Sequence, residues 1–90
     1  MAVCLIHEGP GVTQAQYEQV HHEVSPGEQV PEGCVYHVAG PTETGWCVVE
    51  VWESEEALQR FVQEKLHAAL QRAGITGPPR VFSVANIMSR

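Results

Sequence analysis

The stretch "GWCVVEVWESEEALQRF", Gly45 to Phe61, begins as a β-strand that is apolar on both faces and turns within three residues into an amphipathic helix. In the strand, Cys47, Val49 and Val51 alternate with Trp46, Val48 and Trp52, so neither side is polar. Glu50 is the one charge inside it. Ser54 is placed to cap the helix, and Glu55 and Glu56 suit the positive end of its dipole. Leu58, Phe61, Val62, Leu66, Ala69 and Leu70 recur at helical spacing. Gly74 is the expected end, with Ile75 positioned to touch Leu70 in a Schellman arrangement.

Upstream, "CVYHVAG" reads as a strand and "PTETG" as a turn, so the two strands form an antiparallel hairpin. With Pro41 to Thr44 as the loop, Val35 falls opposite Glu50 and His37 opposite Val48. His37, Trp46, Glu50 and Trp52 then share a face, with His37 diagonal to Glu50 at a Cα separation of ~7–8 Å. A slip of one residue would turn His37 to the other face.

Nearer the N-terminus, "AVCLI" (Ala2–Ile6) reads as a central strand buried on both faces, closed by His7 and broken by "EGPGV". Thr13 and Gln16 form a capping box, and Val12 and Tyr17 occupy the positions of a hydrophobic staple. Tyr17, Val20, His21 and Val24 fall on one helix face before "SPGEQVPEG" stops the helix. "RVFSVANI" reads as a last strand. The order is βαββαβ: an α+β, ferredoxin-like domain over residues 1–90, with a four-stranded antiparallel sheet and both helices on one face. The uncovered face stays apolar. The expected remedy is a homodimer that stacks two such sheets.

Composition narrows the function classes. A chain of 90 residues buries only ~60–65% of the surface it exposes when unfolded. Cys4, Cys34 and Cys47 are odd in number and lie in strand-like runs, which argues against a disulfide scaffold and for a reducing cytoplasm. The net charge is −6, and the five basic residues form no stripe, so neither nucleic acid nor an anionic membrane is an expected partner. No apolar run reaches ~18 residues and no signal-peptide pattern is present. No His, Cys or carboxylate set has metal-ligand spacing, and no nucleophile elbow, phosphate loop or dinucleotide fingerprint occurs.

The element order, with "VWES" running directly into "EALQRF", resembles the dimeric α+β barrel superfamily. More narrowly, with "PGVTQAQYEQV", "VYHVAGPTETGW" and "AGITGPP", it resembles the small antibiotic-biosynthesis-monooxygenase-like proteins. The resemblance implies a homodimer and one pocket per subunit between sheet and helices. It implies no single reaction, because the superfamily includes cofactor-free oxygenases, haem-degrading enzymes, lactone isomerases and polyketide cyclases. Haem degraders of this type have a Trp and a ligating His in the second helix, where Phe61 and Gln71 stand here.

Two readings follow. In the first, a cofactor-free monooxygenase or cyclase acts on a small apolar or aromatic metabolite. His37 and Glu50 handle protons, and Tyr17, Trp52, Phe61, His7 and His21 shape the pocket. In the second, the protein is a non-catalytic dimeric ligand-binding or structural module, its Glu50 paired at a sheet edge with an Arg or a backbone N–H. Neither requires a cofactor or metal.

Overall fold

The computed structural model describes residues 1–90. Its elements are β1 (Val3–Pro10), α1 (Gln14–Val24), a 3₁₀ turn (Pro26–Glu28), β2 (Cys34–Pro41) and β3 (Gly45–Trp52). There follow α2 (Glu55–Phe61), a π turn (Val62–Leu66), α3 (His67–Ala73) and β4 (Arg80–Ser83). The four strands form one antiparallel sheet in the order β2-β3-β1-β4, the ferredoxin-like arrangement expected from the sequence.

The helix boundaries follow their chemistry. Thr13 Oγ1 accepts the Gln16 N–H at 3.1 Å while the Thr13 N–H donates to Gln16 Oε1 at 3.0 Å, closing the capping box. Ser54 Oγ accepts the Ala57 N–H at 3.1 Å. Gly74, at φ 73°, ends α3, and the Ile75 N–H donates back to Leu70 O at 3.0 Å, the Schellman bond. The π turn is not signalled by any residue in "VQEKL". Its effect is geometric: residues five apart on a regular helix diverge by roughly 140°, whereas i→i+5 bonding returns them to one side. Phe61 and Leu66 accordingly both face the space beneath the helix.

Three sequence expectations are corrected. Strand β1 does not stop at Ile6 but continues to Pro10, so His7 lies within it, opposite Val48. The extension depends on Gly45, where an added Cβ would stand 2.1 Å from the Gly9 carbonyl oxygen. Strand β4 ends at Ser83, well short of Ile87. The β2–β3 hairpin is shifted by two residues: Pro41 is inside β2 and pairs with Trp46, so His37 lies directly opposite Glu50. A bulge between Cys34 and Tyr36 absorbs the mismatch at the far end. Because the side-chain period is two, the shift left His37 and Glu50 on the same face.

The core lies between sheet and helices and comprises Val3, Leu5, Val20, Val24, Trp52, Leu58, Phe61 and Ala69. Trp52 and Leu58 are sealed off almost completely from solvent.

Candidate functional site

Above this core a cavity of about 290 Å³ opens between the sheet and the helices. Leu5, Val48, Phe61, Leu66 and Leu70 line its apolar side. Tyr17, His21, Glu28, His37, Trp46 and Glu50 gather on the other.

Glu50 organises the polar side. Central strand β3 fixes it at 7% exposure, an uncommon environment for a carboxylate, and two donors satisfy it. His37 Nδ1 meets Glu50 Oε2 at 2.7 Å, and Trp52 Nε1–H donates to Glu50 Oε1 at 3.1 Å. The expected alternative, an Arg or backbone partner at a sheet edge, is replaced by these side-chain donors from β2 and β3. On the far side of the imidazole, His37 Nε2 lies 2.7 Å from the Tyr17 hydroxyl, which α1 carries across the sheet. An ionised carboxylate can only accept, so with the imidazole carrying a single proton that proton sits on Nδ1 and is donated to Glu50. Nε2 is then the acceptor for the Tyr17 O–H, giving the directed chain Tyr17 → His37 → Glu50.

The rings stack. Tyr17 lies 5.2 Å from Trp46 and 5.5 Å from His21 by ring centroid, and His21 lies 5.6 Å from His37. His21 Nε2–H donates to Glu28 Oε2 at 2.9 Å. Burial, with the charges of Glu28 and Glu50 adding to it, pushes the Tyr17 phenol above its ordinary pKa of 10.0, so Tyr17 remains a neutral donor. Burial likewise pushes the Cys34 thiol up to about 11, with the Glu50 charge contributing. Cys34 is thus held as a thiol. The hydrogen bond from His21 lowers the pKa of Glu28. The Trp46 indole N–H is buried and has no hydrogen-bond partner in the protein.

Of the residues singled out in the sequence, His37, Glu50, Tyr17, His21, His7 and Phe61 all reach the cavity wall. His7 sits at its margin, where Nε2–H donates to the Gly77 carbonyl at 3.2 Å. Trp52 does not line the cavity. At 0% exposure it belongs to the core, packed 4.9 Å from Phe61, and its contribution is the hydrogen bond that holds Glu50. Trp46 stands at the wall instead. Glu28 was missed because it lies in a Pro/Gly-rich run with no periodicity, and only its spacing of seven residues from His21 hinted at contact. No three His, Cys or carboxylate side chains converge on a point that could hold a metal ion.

A ferredoxin-like sheet with a cavity of mixed apolar and protic lining under its helices defines a class of small α+β proteins with a space between sheet and helices. Within that class the chain belongs to the antibiotic biosynthesis monooxygenase family, whose profile matches residues 10–73. No curated protein matches the chain in sequence.

Solved structures share the fold at low identity. A Chloroflexus aurantiacus J-10-fl protein named for the same family superposes with a TM-score of 0.73 at 15% identity, covering 99% of this chain and 98% of that one. A variant of SnoaB, a cofactor-independent oxygenase from Streptomyces nogalater, gives 0.69 at 13% identity, covering 99% and 97%. Rv0793 from Mycobacterium tuberculosis gives 0.60 at 15% identity, covering 98% and 95%. At such identities the likeness concerns the fold.

Proposed function

We propose that the protein is a homodimeric, cofactor-independent oxygenase that takes a proton from a small aromatic or polyketide-like metabolite. Tyr17 and His37 form the proton path and Glu50 is its electrostatic anchor. The observation that carries this reading is the pair of 2.7 Å contacts joining Tyr17 Oη, His37 and Glu50 at the wall of an otherwise apolar cavity.

The Tyr17 oxygen accepts the substrate proton as its own passes to His37 Nε2, and Glu50 stabilises the resulting imidazolium. The carbanion left on an activated CH₂ gives its electrons to dioxygen, a C–O bond forms, and the relay returns the proton to the resulting peroxide anion to give a hydroperoxide. Loss of water completes CH₂ + O₂ → C=O + H₂O. Trp46 Nε1–H offers a donor to an acceptor oxygen on the ligand. The cavity lies at the lower end of the ~300–1,000 Å³ typical of ligand sites, which favours compounds of one to three fused rings.

Stacking of the open sheet faces forms the dimer. Because Glu50, His37 and Leu5 face the helices, their strand neighbours Tyr36, Val38, Val49, Val51 and Ile6 face away, together with Phe82. Val38 is 62% exposed, Phe82 52% and Tyr36 44%, a patch that a second copy would cover. Three free cysteines fit a reducing cytoplasm, and no helix is long and apolar enough to cross a membrane.

The test is oxygen uptake across a panel of one- to three-ring hydroxyarenes and aryl ketones, with wild type, Tyr17→Phe and His37→Ala. Turnover by wild type that falls by about 10²–10⁴-fold in His37→Ala, with binding retained, is expected. Binding with no turnover of any compound would replace this reading with the non-catalytic ligand-binding module.

A further inference from the structure

The segment Ser25–Pro31 closes one side of the cavity, contributing Ser25, Glu28, Gln29, Val30 and Pro31 to its wall. Its attachment is sparse. Its two ends are tied, Ser25 N–H to His21 O of α1 at 2.8 Å and Cys34 N–H of β2 to Pro31 O at 3.0 Å. Between them the backbone bond is Glu28 N–H to Ser25 O at 3.0 Å, and none runs from Pro26–Val30 to the sheet. Across the gap, the side-chain contact is Glu28 Oε2 on His21 Nε2 at 2.9 Å.

The backbone that presents Glu28 is strained. Gly27 and Glu28 follow one another at φ 71° and 62°, and Glu28 is the only non-glycine residue of the chain with positive φ. L-residues disfavour that conformation for steric reasons, and its local support is the turn bond from Glu28 N–H to Ser25 O. The His21 bond is the side-chain contact in place to help hold it there. Pro26 and Pro31 stiffen the two ends.

We propose that Ser25–Pro31 is a strap over the cavity, and that Glu28 is its latch. Bound to His21 it holds the strap closed; released, the strained Glu28 backbone relaxes and the cavity opens to ligand. The latch also bears on the site, since His21 stacks on both Tyr17 and His37. Closing the strap therefore fixes the imidazole that packs against the relay. This inference stands whether the relay performs chemistry or only binds.

The experiment compares wild type with Glu28→Ala, which removes the latch, and Gly27→Ala, which leaves the latch but penalises the closed backbone. An added Cβ at Gly27 meets no atom within 4 Å, so the penalty is conformational and not a clash. Amide hydrogen exchange is followed residue by residue, and stopped-flow quenching of tryptophan fluorescence gives the association rate of 1-naphthol.

In both variants the amides of residues 28 and 34 should exchange about fivefold or more faster, the ratio expected for one lost hydrogen bond. Amides of β1 and β3 should keep wild-type protection, and 1-naphthol should associate faster. Unchanged exchange at positions 28 and 34 in both variants would overturn the proposal. So would a loss of protection spread evenly over α1 and the sheet, which would make the segment part of the fold's framework and not a strap.

Discussion

Replacing Glu50 by Gln changes one oxygen for an NH₂ group and should reverse the direction of the relay. The new carboxamide can still accept from Trp52 Nε1 through its carbonyl oxygen, at the place where Glu50 Oε1 now stands 3.1 Å from that nitrogen. Its amide N–H then faces His37 Nδ1, which must give up its proton and become the acceptor. The proton moves to Nε2, and Tyr17 can no longer donate there; its hydroxyl has to turn and accept. A hydrogen bond to a charged group contributes ~1.5–3 kcal/mol and a neutral one ~0.5–1.5 kcal/mol, so the exchange should cost about 1 kcal/mol. For a chain of this length that is a fall in Tm of about 4–8 °C, with protein concentration held equal because the proposed dimerisation would shift the midpoint.

Glu50→Leu should cost more, about 1–3 kcal/mol for each of the two donors left without an acceptor. The assay is histidine-selective ¹⁵N NMR, which separates the two imidazole tautomers, beside urea unfolding of both variants. His37 should be an Nδ1–H tautomer in wild type and an Nε2–H tautomer in Glu50→Gln. An unchanged tautomer, or a Leu variant as stable as wild type, would refute the reasoning that Glu50 is a satisfied acceptor setting the relay.

Three further outcomes are expected. In an ultraviolet titration Tyr17 should ionise above 10.0, its ordinary value, identified by loss of that component in Tyr17→Phe; the raised value means its contribution to stability is intact below pH 10.0 and is lost as pH rises through the folded-state pKa. Val38→Asp, on the open face, should turn the proposed dimer into monomer in analytical ultracentrifugation while circular dichroism shows the helices intact. Gly45→Ala should lower stability by several kcal/mol in urea, because its Cβ would stand 2.1 Å from the Gly9 carbonyl and force β1 and β3 apart.

The sequence carried those features that depend on periodicity and local chemistry. Thr13, Ser54 and Gly74 act through their own side chain or lack of one, so the helix limits could be read directly. Register is different, because it depends on how far the hairpin continues to pair. Pro41 looks like a loop residue, yet at an edge strand its missing N–H need not face a partner, so β2 runs through it. The two-residue shift that results brought His37 from a diagonal to a direct position against Glu50 without changing its face.

The roles of the two tryptophans were not legible for a related reason. Both lie on the helix side, but whether a ring meets the core or the cavity depends on what lies above it: Phe61 of α2 packs on Trp52, whereas Tyr17 of α1 stacks on Trp46. Trp52 therefore became core and Trp46 became wall. Glu28 was hidden because contacts between a helix and a following aperiodic segment leave no repeating pattern.

Central to the proposed function is that Tyr17 and His37 accept a proton from a ligand in the cavity. The direct measurement is the ultraviolet difference spectrum of 1-naphthol bound at neutral pH to wild type and to His37→Ala. Wild type should show a naphtholate band that disappears in His37→Ala although the compound still binds. Bound naphthol that stays neutral in wild type, or a naphtholate band that survives the loss of His37, would contradict the proton transfer.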